Sequence, residues 1–356
     1  MIVYVGCYTT PDRNGHGEGI AAYRMDPPSG EWHPLGLKAR IANPSFLAVH
    51  PNGSNLYSVH GGELSDVSAF AMRGGSGDIE LLETKPSGGV NPVHLDIQRE
   101  GRWLAVANYT GSSIALLPIA ADGCVGELSD LIHLTGEPGP DPVEQSTPHP
   151  HDIPFDPACE FVAVPDKGLD RVFIFRVDRE NGRFVAADPP YISSAPGAGP
   201  RHIAFHPRQH WAYVINELNS TVTTYTYQPK GDAFAELQTV SSRPDNFTPK
   251  NTGAEIVVHP SGRFVYASNR GHNSVAAFAI DQQAGTLTSI GWTETHGDTP
   301  RAIALDPSGE FLYAANQASD TIVTFGVDTD TGQLIPTGEV ISTGSPSSIV
   351  FTGGDR

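Results

Sequence analysis

Side chains able to bind an anion and polarise a carbonyl occur in short motifs scattered along this chain: His151 in PHPHD, Lys167 in PDKG, Arg201 in GPRH, Glu217 in NEL, Arg270 in SNRG and Arg301 in TPRA. Guanidinium groups stay charged and bind oxygens bidentately, while a carboxylate or an imidazole can accept a proton from water. Tyr109 in ANYT, His94 in PVHL and His202 beside Arg201 stand at related places and are read as further substrate contacts. The same charges could instead form a buried ion-pair network, since structural networks also gather opposite charges. The motifs lie far apart, so only a fold that returns the chain repeatedly to one place can bring them together.

Such a fold is written in the repeats. The segment 199–227, GPRHIAFHPRQHWAYVINELNSTVTTYTY, reads as a strand, a His-Pro turn, a second strand, a short polar loop and a third strand. Segments of the same order begin at Asn43, Asn91, His149, Gly199, Thr252 and Thr299, and their equivalent positions Pro44, Pro92, Pro150, Pro200, Gly253 and Pro300 follow at intervals of 47 to 58 residues. A period near fifty holding about four short strands is that of a propeller blade. The C-terminal SPSSIVFTGG (345–354) is a first strand with nothing after it, whereas VYVGCYTT (3–10), GIAAYRMD (19–26) and EWHPLG (31–36) are later strands with nothing before them. Together they make a seventh blade. The expectation is an all-β, seven-bladed β-propeller over residues 1–356 as a single domain, closed by pairing the C-terminal strand with the N-terminal blade so that no sheet edge stays open.

Aligning the blades shows which side chains converge. The position after the first-strand proline reads Ser45, Val93, His151, Arg201, Ala254, Arg301 and Ser347 around the ring. The end of the second strand reads His60, Asn108, Asp166, Asn216, Asn269, Asn316 and Cys7, a column whose repeated Asn suits an architectural role at strand ends. The next position varies from blade to blade: Gly61, Tyr109, Lys167, Glu217, Arg270, Gln317 and Tyr8. Lys167, Glu217 and Arg270 are thereby placed near His151 and Arg201 at one mouth of the channel. Two polar insertions, 135–150 and 241–253, are placed to rim it. His50, His206 and His259, in repeated His-Pro turns, are read as structural.

Composition narrows the function classes. A formal net charge of −18 opposes nucleic acid or an anionic membrane as partner. Cys7, Cys124 and Cys159 are dispersed, without a CxxC, which suits a reducing cytoplasm better than a disulfide framework. No apolar stretch approaches the roughly 18 residues of a membrane span, and the N-terminus reads as a strand and not as a signal peptide. His149 and His151 would alternate onto one strand face as an HxH metal pair, with Asp152 and Asp166 as oxygen donors, but Arg201 and Arg301 would oppose a cation there. No metal and no cofactor are expected.

At these motifs the chain resembles the seven-bladed β-propeller lactonases, a family that includes bacterial 6-phosphogluconolactonases of propeller type and the fungal 3-carboxy-cis,cis-muconate lactonising enzyme. VGCYTT (5–10), NPVHLDI (91–97), PHPHDIPFDP (148–157), VPDKGLDRVFIF (164–175), GPRHIAFHP (199–207), NELNSTV (216–222) and AEIVVHPSGRFVYASNRGHNSV (254–275) carry the likeness over essentially the whole length. The resemblance implies a site of His151, Arg201, Glu217 and Arg270, and hydrolysis of a sugar-acid δ-lactone such as 6-phosphogluconolactone. In that reading the arginines hold the substrate anion or the oxyanion, and Glu217 or His151 is general base toward water. The absence of a G-x-S-x-G elbow agrees with direct attack by water. The alternatives are cycloisomerisation of a carboxymuconate at the same residues, and a propeller serving only as a protein-interaction platform.

Overall fold

Runs rich in β-branched and aromatic residues, such as Phe264–Arg270 and Phe311–Asn316, are buried on both faces because each blade is sandwiched between two others. The computed structural model describes residues 1–229 and 233–353. It contains seven antiparallel sheets. The first sheet joins the chain ends: Pro346–Phe351 pairs with Ile2–Cys7 from Val3 opposite Phe351 to Cys7 opposite Pro346, which closes the ring without a covalent link. Gly354, the last residue of the segment assigned to that strand, lies outside the described residues.

Seven apolar clusters occupy the wedges between adjacent blades, one for each neighbouring pair, including the pair on either side of the chain ends. The ring is therefore packed all round. Repeated polar latches add to it. His50, His206 and His259 reach with Nε2 to the carbonyls of Gly101, Gly262 and Gly309 in the next blade's first turn, at 3.0, 3.0 and 2.9 Å. Tyr57, Tyr213, Tyr266 and Tyr313 donate their hydroxyls to the carbonyls of Gly123, Gly285, Gly332 and Gly30, in the outer hairpin of the following blade. The Asn column is architectural as well: Asn216 Nδ2 donates to Thr221 and Thr223 in the next strand of its own blade, and Asn269 Nδ2 donates to the Ser242 carbonyl, just past the outer strand of the preceding blade.

One blade departs from the repeat. Its sheet has three strands, Phe161–Asp166, Arg171–Asp178 and Arg183–Ser193, and the expected first strand at 149–155 pairs with it at two separate bridges, Pro150 to Asp166 and Phe155 to Val162, and not as a continuous strand. Backbone bonds persist at its two ends, from His151 N–H to the Pro165 carbonyl and from Ala163 N–H to the Pro154 carbonyl, but Pro154 and Pro165 have no N–H to give, which interrupts the ladder between them. This is the segment that carries His151.

Candidate active site

Each first strand holds one residue more than the strand it pairs with. Pro44 faces His60 while Phe46 faces Val59, which leaves Ser45 unpaired; Val93, Arg201 and Arg301 are skipped in the same way. In the segment that begins at Thr252, Ala254 and Glu255 share the gap between Gly253 and Ile256, and Ser347 is skipped at the closing strand. A bulge breaks the strict alternation of faces and re-aims side chains. As a result two successive residues of a first strand belong to the channel. The residue after the proline lies toward one mouth, where Val93, His151 and Arg301 reach the lining, and the next lies one layer deeper.

The mouth is a cavity of about 120 Å³. His151, Glu217, Arg270, Lys167, Arg301 and Tyr109 line it, as the column alignment requires. At its centre is the Glu217 carboxylate, which meets Arg270 Nη2 at 3.1 Å, Arg201 Nε at 3.2 Å and Lys167 Nζ at 3.4 Å. Burial pushes the Glu217 carboxyl up, but Arg270, Lys167, Arg201 and Arg301 outweigh burial and hold it at about 2. Glu217 is thus a fixed anion that orders three cations. Arg270 is further tethered by donation to the Gly253 carbonyl at 3.1 Å. Lys167 also binds Glu144 Oε2 at 2.8 Å, and its ammonium lies 5.3 Å from the centre of the Tyr109 ring.

Three of the expected contacts lie elsewhere. Arg201 is 2% exposed and sits beneath the mouth, bonded to the Ala254 carbonyl and paired with Glu217, so it backs the lining residues and does not belong to them. His94 and His202 were expected to touch substrate. Instead they occupy the deeper layer, where His94 Nε2 meets Asp152 Oδ1 at 3.0 Å and His202 Nδ1 meets Glu255 Oε1 at 2.6 Å. The bulge explains the difference, because it drops the second channel residue of each strand below the first.

The mouth also contains groups that the column alignment does not identify. Arg13, on the 3-10 turn Pro11–Arg13, lines it and donates to Asn91 Oδ1 at 2.7 Å. Arg13 and Arg301 both stand over the Tyr8 ring, at 5.5 and 5.3 Å from its centre. Tyr8 is the closing-blade member of the variable column, and the loop that follows it brings Arg13 to the same mouth. Glu144 comes from the 135–150 insertion, which was expected to rim the site. Among the described residues, Arg301 has no carboxylate within 4 Å.

His151 is buried among cations. Burial, then Arg201, His202, Arg301 and Lys167, drive its pKa well below the ordinary value, so the ring is neutral across the physiological range. Its Nδ1 lies 3.1 Å from His202 Nε2, which leaves Nε2 as the ring nitrogen for the mouth. The HxH pairing does not form: His149 stacks on Tyr109 at 4.4 Å and 13°, while His151 turns inward to His202. Asp166 Oδ1 is taken by the amides of His149 and Leu169. Among the described residues no group of three His, Cys, Asp or Glu side chains is placed to hold a metal ion.

The other end of the channel has larger cavities, of about 790 and 440 Å³. Val49, Ile97, Phe155, Phe205, Leu305 and Phe351 make their walls largely apolar. The Asp156 and Asp306 carboxylates there cap turns, accepting from the amides of Phe161 and Phe311 at 3.0 and 2.8 Å. Arg99 also lines the larger of the two, but it donates to the Pro157 carbonyl, and the cluster of cations is at the first mouth.

A closed seven-bladed ring with a cationic mouth and a neutral imidazole at its wall defines a β-propeller with a small polar pocket at one end of its channel. Residues 2–351 match the family model described as "Lactonase, 7-bladed beta-propeller", and the chain belongs to that family. A 6-phosphogluconolactonase of Bacillus subtilis is 35% identical over 302 residues, covering 84% of this chain and 83% of the relative. One from Formosa agariphila is 36% identical over 308 residues, covering 84% of each. The solved structure of a periplasmic gluconolactonase from Pseudomonas aeruginosa superposes with a TM-score of 0.91 at 30% identity, covering 99% of both chains. The described residues include no helix long and apolar enough to cross a membrane.

Proposed function

We propose that the protein hydrolyses a sugar-acid δ-lactone, 6-phosphogluconolactone to 6-phosphogluconate, at the cationic mouth. The observation that carries this reading is the charge of the lining: Arg13, Lys167, Arg270 and Arg301 stand against Glu217 in a chain whose net charge is −18. Such a local reversal of sign suits a substrate anion. The activity of the Bacillus subtilis and Formosa agariphila relatives supports the same substrate.

The roles follow from how each group is held. Arg270 is fixed by Glu217 and the Gly253 carbonyl, and a donor held in place before reaction suits the oxyanion that forms when water attacks the ring carbonyl. Arg301 has no carboxylate to compete with and is the group for the phosphate. His151 is the base, because Glu217, held at about 2 among three cations, is a poor proton acceptor near neutral pH. His151 Nε2 takes a proton from the attacking water, the carbonyl carbon becomes tetrahedral, the ring C–O bond breaks, and the same nitrogen returns the proton to the leaving oxygen. The new carboxylic acid loses its own proton to solvent. Arg201 keeps Glu217, and through it Arg270, in register. We also infer cytoplasmic residence from three unpaired cysteines.

Arg301→Ala is expected to raise KM for 6-phosphogluconolactone about 10–100-fold, the equivalent of roughly 1.5–3 kcal/mol for a charged hydrogen bond, with little change in kcat. Glucono-δ-lactone, which lacks the phosphate, should be turned over as before. Initial rates above spontaneous hydrolysis for the two lactones, alongside a carboxymuconolactone, test the reading. Equal losses for both sugar lactones would remove Arg301 from the phosphate site. Turnover confined to the carboxymuconolactone would overturn the function.

A further inference from the structure

The layer beneath the mouth joins His151 to groups for which the proposed reaction has so far no use. His151 Nδ1 lies 3.1 Å from His202 Nε2, and His202 Nδ1 lies 2.6 Å from Glu255 Oε1. Glu255 is 14% exposed, and it lines the cavity of about 440 Å³ that opens at the opposite end of the channel, together with Phe46 and Ser348. Two imidazoles therefore bridge the site at one mouth and a carboxylate that meets the other.

We propose that His202 and Glu255 form a proton relay behind His151, with Glu255 as the group that holds the proton His151 takes from water. This rests on the lactonase reading above. The hydrogen-bond chain permits two arrangements. With Glu255 ionised, it accepts from His202 Nδ1–H, His202 Nε2 accepts from His151 Nδ1–H, and His151 Nε2 carries the free lone pair that a base needs. When His151 Nε2 takes a proton from water, its Nδ1 proton passes to His202 Nε2 and the His202 Nδ1 proton passes to Glu255. The carboxylate becomes a carboxylic acid, both imidazoles end neutral as Nε2–H tautomers, and one proton has been added to the chain. Reversing the shifts returns it to the leaving oxygen.

The relay answers a specific electrostatic difficulty. An imidazolium at His151 would sit among Arg201, Arg301 and Lys167, which oppose its charge. Moving the proton to Glu255 replaces that imidazolium with a neutral acid. Glu255 faces His202, Arg201, His94 and Arg301, with Asp152 paired to His94 in the same layer. Burial pushes its carboxyl up to about 7 against the pull of Arg201, His94, the Ile256 amide and Arg301, a value matched to proton transfer near neutral pH. Its pKa is raised, so the proton-accepting form is populated as pH rises through about 7. Glu255 and His202 do not reach the mouth, which makes them positioning and relay residues.

Nitrogen NMR of the imidazoles in the substrate-free protein, wild type and Glu255→Gln, tests the relay without reference to turnover. His151 and His202 are expected to share one tautomer, Nδ1–H, at pH 8 and to switch together to Nε2–H around pH 7, with no such switch in Glu255→Gln, whose amide keeps the shape but does not titrate. Kinetics on the same proteins should show kcat lowered at least about tenfold in the variant, within the roughly 10²–10⁴-fold that a positioned proton acceptor supplies, with KM within about twofold. The acidic limb of the kcat profile near pH 7 should be lost. Rings that titrate separately, or a limb unchanged by Glu255→Gln, would overturn the relay. A joint switch in a protein that does not hydrolyse 6-phosphogluconolactone would instead overturn the function and leave the relay standing.

Discussion

His151→Ala is expected to lower kcat for 6-phosphogluconolactone by about 10²–10⁴-fold, the range of a positioned general base, while the protein stays folded and KM changes little. Folding should survive because the segment around His151 is held by backbone bonds that the substitution keeps, among them His151 N–H to the Pro165 carbonyl at 3.0 Å and Lys167 N–H to the His149 carbonyl at 3.0 Å. KM should hold because Arg270 and Lys167 are held by Glu217, and Arg301 stands over the Tyr8 ring, none of them positioned by His151. The loss falls on kcat because His151 alone combines a place at the mouth, a neutral ring and a nitrogen left over from its inward bond. Initial rates with circular dichroism as the folding control decide it. Full turnover in a folded variant would show that His151 is not the base.

Glu217→Ala should act on stability before it acts on rate. Removing the carboxylate leaves Arg201, Arg270 and Lys167 facing each other without their shared partner, and breaking a buried ion pair from one side costs about 3–5 kcal/mol. The pH dependence has a definite sign. The folded pKa of about 2 is below the ordinary 4.5, so Glu217 contributes stability that is fully present above about 4.5 and is lost as pH falls toward 2. Urea midpoints of wild type and variant should therefore differ widely at pH 7 and draw together as the solution is acidified through that window. A gap that stays constant down to pH 2, or no gap at pH 7, would remove Glu217 from the centre of the network.

Much of this arrangement was legible in the sequence, for a definable reason. The spacing of Pro44, Pro92, Pro150, Pro200, Gly253 and Pro300 fixes the register of each blade, and the structure pairs these positions with His60, Asn108, Asp166, Asn216, Asn269 and Asn316. Residues one step further on, among them His151 and Arg301, and Lys167, Glu217 and Arg270, therefore come to the same rim. What stayed hidden was depth. A bulge leaves no signature in an apolar alternation that is already irregular, so His94 and His202 read as neighbours of the mouth when they lie beneath it, and Arg201 read as a substrate contact when it is buried behind Glu217. Arg13 and Glu144 come from a turn and an insertion that have no counterpart in the other blades, and a repeat alignment has no column for them. The interrupted first strand around His151 follows from Pro154 and Pro165, which have no counterpart in the other blades and whose effect on the ladder could have been weighed from the sequence.

A crystal structure with 6-phosphogluconate bound tests most directly whether the cationic mouth is the site of reaction. The expected result places the phosphate against Arg301 and the carboxylate between Arg270 and His151 Nε2. Product bound instead among the apolar residues at the far end of the channel, with Arg270, Arg301 and His151 untouched, would contradict it.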